Sequence, residues 1–554
     1  MFSSKENFNS RRKESWIKAF FGSSAVTSIV ILVLIIAFLF KEGIGFFGEN
    51  KRELDLFRKS GMEFSAVITN QHDAQTLIYR YLENILAKES KHLEEMPEDS
   101  EFINIAKNRN EKLLKFLRNF QKIKEVLLEY EKKIVEMAVE TKQFIQIQSL
   151  IKELRLTRAK LKLPEEDFSI TMDEIDERKS FDSREIERWS NYFLRHGLVN
   201  QAKNLNAFLI NYDTSLKPAF YNDRTEEIVK SYKIVYQPLI EAQNNDFTDI
   251  FRSFTTDFSL NESEQEFEKV KIAFTEYLES TKLFSQKLDE WNPHRPYPLK
   301  EAFSSFFLGR DWITNSARQD WYGVLPLFSG SLLISLIALI LAVPLGLGSA
   351  IYISQVAGSR EQAIVKPMIE FIASIPSILI GFFGISMLGG WINLFADERL
   401  NSLTAGCLLA LMTVPTIFTL AEDSLNNVSI RLREASYALG ASKLQTCIRV
   451  VIPSALSGMI SAVLLGFGRV IGETMVVLLC AGNRIAVPDF TQGFSVFAQP
   501  VHTMTGIIAQ EMGEVEFESI HYRALFMVGI VLFLIALAVN FLAQTITHKI
   551  RNKS

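Results

Sequence analysis

The chain has 554 residues and a formal net charge of −4, so no global positive charge directs it to nucleic acid. Its hydrophobic content of 48% is high for a chain in which 22% of the residues are charged. The average conceals two parts, because residues from about 50 to 300 are dense in charge and residues from about 325 to 545 are mostly apolar. We therefore expect a polytopic membrane protein that carries a large soluble insertion.

Hydropathy predicts six membrane spans, each long enough for a hydrocarbon layer of roughly 30 Å. A signal peptide also fits the first span, but no small-x-small cleavage site follows it, so we expect a retained anchor. The basic termini and two basic loops fall on one side of six spans, which the positive-inside rule makes cytoplasmic. Residues 1–23 are then a cytoplasmic N-terminus. The spans lie near residues 24–41, 327–354, 366–389, 402–421, 456–481 and 522–545.

A helical bundle is predicted between the first two spans, within residues 42–320 on the external, periplasmic side. Apolar residues recur there in alternating steps of three and four, which predicts one long helix with a coiled-coil seam. All three cysteines lie in the membrane portion or its cytoplasmic loop, so we expect the bundle to contain no disulfides. The seam consists of Leu113, Phe116, Phe120, Ile123, Leu127, Tyr130, Ile134, Met137, Thr141, Phe144, Gln148 and Ile151.

The sequence assigns no chemistry to this insertion. It contains no metal-ligand cluster, no nucleophile arrangement and no glycine-rich loop, and its histidines are scattered in a way typical of surface residues. A docking surface for an exported partner, an input domain of a sensor and a structural spacer all remain open.

The stretch "GRVIGET" places Arg469 and Glu473 inside an otherwise apolar span, where an ionisable side chain costs roughly 2.5–3.5 kcal/mol. On a continuous helix two residues four apart share one face. Gly468 and Gly472 form a small-xxx-small pair that predicts close approach of another helix. Two interpretations stay open: an internal ion pair that locks the span, or an arginine that contacts a travelling anion while Glu473 holds it in place.

Other polar or helix-breaking residues also occur in the spans. Thr474 offers a hydroxyl donor beside the charged pair, and Ser374 and Ser377 flank Pro376 and are candidates to line a path. Pro344, Pro376 and Pro415 fall in three different spans, where proline kinks a helix and frees backbone carbonyls. All of these residue types also serve plain packing in membrane helices.

The loop at 425–455 predicts two short helices separated by a turn, a knob that suits docking into a groove of a partner. It resembles the EAA loop of ABC-importer permeases, whose pattern is E-A-A, three residues, Gly, nine residues and I-x-L-P. Three substitutions depart from that pattern conservatively: Ser for the second Ala, Val for Ile and Ile for Leu. The matching residues are Glu434, Ala435, Ser436, Gly440, Val450, Ile452 and Pro453.

The resemblance implies that this loop couples the permease to a separate ATPase subunit. No G-x-x-x-x-G-K-[ST] motif occurs in the chain, so we expect no cofactor, no metal and no catalytic residue in it. ATP and Mg²⁺ would then be bound by the partner ATPase.

The segments "ASIPSILIGFFG" and "GFGRVIGETMVVLLCAGN" resemble the C-type permease subunits of phosphate-specific ABC importers. The resemblance covers roughly residues 20–47 and 301–550. It implies the bacterial inner membrane, an A-type second permease subunit, two ATPase subunits and an exported phosphate-binding protein. Arg469 and Glu473 lie where these permeases carry the same charged pair.

We thus expect an all-α membrane protein with six spans of the ABC-importer type, five of them in a permease core at 321–554, plus the inserted bundle. Phosphate import is the expected function. A permease for another oxyanion, molybdate or sulfate, is one alternative, and a membrane sensor that uses the insertion as its input domain is another.

Overall fold

The computed structural model describes residues 3–94, 101–165, 167–178, 181–211, 229–253, 261–314, 316, 319–394, 396 and 398–551. The chain divides into two compact units. One is formed mainly by Arg52–Tyr297, and the other by Met1–Lys51, Pro298–Ser316 and Asp320–Ser554. Helix α1 (Ser3–Lys59) contributes residues to both.

All secondary-structure elements among the described residues of the first unit are helices. The predicted seam lies on one continuous helix, α3, and its residues are buried or half-buried along the full length. The prediction of one long helix with an inward apolar stripe is confirmed. The further helices are α2 (Met62–Glu94), α3 (Glu101–Leu161), α4 (Met172–Glu177), α5 (Ser183–Arg195), α6 (Val199–Asn211), α7 (Gln237–Ser253, after a π-helical turn at Tyr232–Tyr236) and α8 (Asn261–Asp289).

A polar layer separates two apolar clusters in this unit. Gln75 donates from Nε2 to the hydroxyl of Tyr277 at 2.7 Å, and that hydroxyl donates to Oδ1 of Asn244 at 3.0 Å. Gln75 is 1% exposed, and burial lowers the pKa of the neighbouring His72. Three helices, α2, α7 and α8, are thereby joined by hydrogen bonds, and Phe247 of α7 packs against Phe116 of α3 and Phe274 of α8.

The second unit contains the membrane-spanning helices. Within the described residues five helices are long and apolar enough to cross a bilayer, and a bent pair adds a sixth span if its halves are counted together. Counted this way, the number agrees with the six predicted spans. The five are Val26–Lys59, Leu325–Val356, Ser402–Asn426, Lys443–Ile471 and Ile520–Ile546.

The elements of this unit follow in chain order. They are α9 (Leu299–Phe307), the antiparallel strands β1 (Trp312–Ile313) and β2 (Trp321–Tyr322), α10 (Leu325–Ile351), α11 (Ser359–Ala373), α12 (Ser377–Phe383), α13 (Gly389–Ile392), α14 (Ser402–Asn426), α15 (Ile430–Ala438), α16 (Lys443–Thr446), α17 (Ile452–Ile471), α18 (Met475–Cys480), α19 (Met504–Glu511) and α20 (Ile520–Arg551).

The span predicted at 366–389 is not one straight helix. Helix α11 ends at Ala373, α12 begins at Ser377, and the two cross at 90°. Pro376 explains the break, because a proline disfavours the α conformation for the residue before it. Pro344 and Pro415 do not interrupt their helices, since α10 and α14 continue through them.

Glycines set the contact between α14 and α17. A Cβ built on Gly466 would lie 2.9 Å from Cγ1 of Ile417 and 3.2 Å from Cγ2 of Thr413. The side chains of Ile417 and Thr413 can pack directly against the backbone of α17 here because Gly466 has no side chain. The predicted pair Gly468 and Gly472 does not do this, because nothing lies within 4 Å of a Cβ at Gly468 and only its own helix lies near Gly472.

We expect Gly466→Ala to lower the stability of the chain by about 1–3 kcal/mol, because the added methyl overpacks the contact between α14 and α17. Gly468→Ala is the matched control on the same helix. It meets open space and replaces a poor helix former, so we expect no loss of stability. Thermal unfolding of the purified chain in detergent measures both, and equal melting temperatures for the two variants would contradict the packing described.

Candidate functional site

Arg469 lies in the last turn of α17, one turn beyond the contact at Gly466. Its guanidinium is exposed, and Nη1 donates to Oγ1 of Thr416 on α14 at 2.8 Å. Side chains on a helix lean toward its N-terminus, which brings the arginine head back to the level of Thr416. The contact between the two helices therefore also positions the charge.

Glu473 does not share a helix face with Arg469. Helix α17 ends at Ile471 with Gly472 as its C-cap, and residues 472–474 form a break before α18. Oε1 of Glu473 accepts from the backbone N–H of Met475 at 3.3 Å. Among the described residues no ion pair joins Arg469 to Glu473. The expectation of one shared face is wrong, because it assumed that the helix continued.

The break is held by neighbouring helices. The hydroxyl of Thr505 on α19 donates to the carbonyl of Glu473 at 2.7 Å. At the start of α19, the backbone N–H of Met504 donates to Oγ of Ser331 on α10 at 3.0 Å. Thr505 is 7% exposed and Ser331 is 3% exposed, so these bonds are sheltered from solvent. The irregular backbone thus finds its partners inside the protein, as a membrane segment requires.

The remaining predicted path residues lie apart from this contact. Thr474 is half-buried in the break and makes no side-chain cap for α18. Ser374 is exposed and donates to the carbonyl of Phe371 at 2.7 Å, and Ser377 is the first residue of α12. The structure gives none of these three a hydrogen bond to Arg469. Their role in a path stays a prediction.

The loop at 425–455 forms a tight helical turn. Helix α15 ends in a Schellman motif, in which the N–H of Gly440 bonds the carbonyl of Tyr437 and the N–H of Ala441 bonds that of Ser436. Gly440 has φ +84°, which favours glycine. Ser442 and Gln445 then form a capping box that starts α16. The glycine of the motif is therefore explained by backbone geometry.

Side chains fasten the two helices of this turn to each other and to α14. The hydroxyls of Ser436 and Thr446 lie 2.9 Å apart, and Nη2 of Arg433 donates to the carbonyl of Leu425 at 2.7 Å. Glu434 and Ala435 are exposed and face away from this packing.

The second short helix of the loop does not end before the membrane. Residues Lys443–Ile471 run as one helical span through a π-helical segment at Cys447–Val451. Ile452 and Pro453 lie inside it, with Pro453 in the first turn of α17. The prediction of two separate short helices is thus wrong for the second helix, which continues into the membrane span.

The tip of the turn presents apolar side chains that the described chain does not cover. Leu439 is 89% exposed, Leu444 is 65% exposed and Ile430 is 70% exposed. Single exposed apolar side chains are ordinary, but three within residues 430–444 favour a contact surface. We call Ile430, Leu439 and Leu444 the loop tip.

A cavity of about 820 Å³ lies elsewhere in the membrane unit, between the segment before α14 and the segment after α18. Its lining carries both signs of charge, from Arg484, Glu398 and Asp489. Neither Arg469 nor the loop tip lines it.

Spans, break and loop together define a membrane permease component. Residues 342–552 match the family described as "Binding-protein-dependent transport system inner membrane component", and they lie wholly in the membrane unit. The chain belongs to this family of ABC transporter permeases.

Individual relatives show which ABC transporter permeases this chain resembles. The chain is 34% identical over 229 residues to the probable ABC transporter permease protein YqgH of Bacillus subtilis, covering 40% of this chain and 72% of that protein. It is 30% identical over 273 residues to the phosphate transport system permease protein PstC of Pasteurella multocida, covering 45% and 81%. It is 30% identical over 288 residues to the phosphate transport system permease protein PstC 1 of Mycobacterium tuberculosis, which covers 47% of this chain and 80% of that protein. The predicted resemblance to C-type phosphate permeases is confirmed.

We expect Gly440→Val to loosen the turn between α15 and α16, because a side chain at φ +84° costs roughly 1–2 kcal/mol. Hydrogen exchange at the amide of Ala441, which closes the Schellman motif, should become about tenfold faster or more. Gly358→Val is the control, since Gly358 has an extended backbone and open space. Unchanged exchange at Ala441 in Gly440→Val would refute the strained geometry.

Proposed function

We propose that this chain is one half of a heterodimeric permease that imports inorganic phosphate at the expense of ATP hydrolysed by partner subunits. The observation that carries the proposal is the guanidinium of Arg469, which is exposed among membrane spans and has a hydroxyl as its side-chain partner. A cation in this setting requires an anion, because an unpaired charge is costly in the membrane.

Guanidinium is suited to phosphate in particular. It offers five N–H donors in a planar fork and stays charged at all relevant pH values. Thr416 accepts one N–H at Nη1, which leaves further donors for oxygen atoms of an anion. The names of the relatives support phosphate as the transported oxyanion.

Glu473 has a structural part in this proposal. Its carboxylate accepts from the N–H that begins α18, and its carbonyl is held by Thr505. It lies close to Arg469 in sequence without neutralising it. The negative charge would repel an anion that moves past Arg469, which opposes trapping at the arginine.

The loop tip supports the coupling part of the proposal. Its apolar side chains are available for a cleft of a partner ATPase, and the two caps make the turn rigid enough to transmit force. ATP and Mg²⁺ would be bound there, an exported binding protein would deliver phosphate outside, and an A-type permease would complete the path. In this arrangement both termini are cytoplasmic and the helical unit at Arg52–Tyr297 lies on the external side.

We expect Arg469→Ala to reduce phosphate uptake at least tenfold, since a hydrogen bond to a charged group contributes about 1.5–3 kcal/mol. Uptake of labelled phosphate is measured in cells that lack their own phosphate permease and express the chain with its partners. Arg469→Lys keeps the charge but loses the fork, so its uptake should be intermediate. Arg360→Ala, an exposed arginine in another segment, should leave uptake unchanged.

Competition decides the substrate in the same assay. Phosphate uptake that resists excess sulfate and molybdate supports the proposal. Uptake that either competitor abolishes would assign the permease to the other oxyanion. Uptake of phosphate without the ATPase partner would refute the coupling.

We expect Leu439→Asp to abolish most co-purification of the ATPase subunit, because a carboxylate on the loop tip cannot enter an apolar cleft without losing its hydration. Phe494→Asp is the control, since Phe494 is 90% exposed on a different segment. Both variants should insert into the membrane normally. Full recovery of the ATPase with Leu439→Asp would exclude the loop tip as its docking site.

A further inference from the structure

Helix α14, which contacts Arg469, carries three threonines at intervals of three residues. Their hydroxyls differ in their hydrogen-bond partners. The hydroxyl of Thr413 donates to the carbonyl of Leu409 at 2.7 Å, and that of Thr419 donates to the carbonyl of Pro415 at 2.9 Å. Both hydroxyls therefore donate to a carbonyl of their own helix, which is common for threonine in a helix.

Thr416 behaves differently. Its Oγ1 accepts the N–H of Arg469 at 2.8 Å, and the structure gives its proton no backbone acceptor among the described residues. A hydroxyl carries one donor and two acceptor sites, and its hydrogen rotates to suit. The proton of Thr416 can therefore follow an oxygen atom that lies against the guanidinium.

The position of Thr416 is set by the backbone. The close contact of Gly466 with Thr413 and Ile417 holds α14 against α17 within one turn of the pair. Thr416 and Arg469 thus come from two different helices and meet without rearrangement. Two donors from two helices, aimed at one space, make a more selective anion site than one arginine alone.

We propose that Thr416 is a second binding residue for the transported oxyanion. One lone pair of its hydroxyl orients the guanidinium of Arg469, and its proton donates to an oxygen of the same anion. This inference rests on the proposed function, because it assigns a further residue to the same site.

The test titrates the assembled transporter, purified in detergent, with inorganic phosphate and follows its melting temperature, since a ligand that binds the folded state raises it. Thr416→Val removes the hydroxyl and keeps the shape, and Thr416→Ser restores the hydroxyl. Thr419→Val is the matched control on the same helix. Sodium chloride at equal ionic strength separates binding from screening of charge.

We expect Thr416→Val to raise the phosphate concentration at half-saturation about tenfold, because it removes one hydrogen bond to an anion. Thr416→Ser and Thr419→Val should stay within about twofold of the wild type. A lower melting temperature without phosphate, together with an unchanged half-saturation, would show that Thr416 only joins the two helices and would overturn the inference. Half-saturation shifted equally in Thr419→Val would also overturn it. The proposed function itself would be refuted if phosphate did not raise the melting temperature of the wild-type transporter and the transporter took up no phosphate in the uptake assay.

Discussion

A guanidinium that stands among apolar spans requires a hydrogen-bond acceptor from the protein, and the contact between α14 and α17 supplies one. Gly466 lets α14 approach α17, and this approach brings Thr416 to Arg469. The helix then ends two residues after the arginine, and the carboxylate of Glu473 accepts from the backbone N–H of Met475 instead of from the guanidinium. The charge is held in place without being neutralised, which leaves it available to an anion.

The sequence predicts the parts of this chain that depend on periodicity. The seam of α3 was readable because apolar residues recur with one spacing over many turns, and such a pattern has a single structural solution. The break after Ile471 was harder to read, because the apolar residues continue through it. A signal was nevertheless present, since Gly472 is a residue typical of helix ends and Thr474 is typical of helix starts. The partners of Arg469 could not be predicted, because Thr416 is 53 residues away and the contact depends on how two helices cross.

The turn between α15 and α16 illustrates the same division. Its glycine and its serine cap act within a few residues, so their spacing in the sequence carries their geometry. Pro453 was misleading, because proline usually marks a helix boundary. Here the helix continues through Pro453, although proline removes the donor for the carbonyl of Arg449. A widened π-helical segment at Cys447–Val451 directly precedes the proline turn.

The unbroken helix from Lys443 to Ile471 has a mechanical consequence. Its 29 residues, at 1.5 Å each, form a rod of about 44 Å with the loop at one end and the arginine at the other. A rod of this length turned by about 10° around one end moves the other by about 7–8 Å. A small rotation of this helix about its loop end, near Leu444, therefore corresponds to a displacement of several ångströms at Arg469.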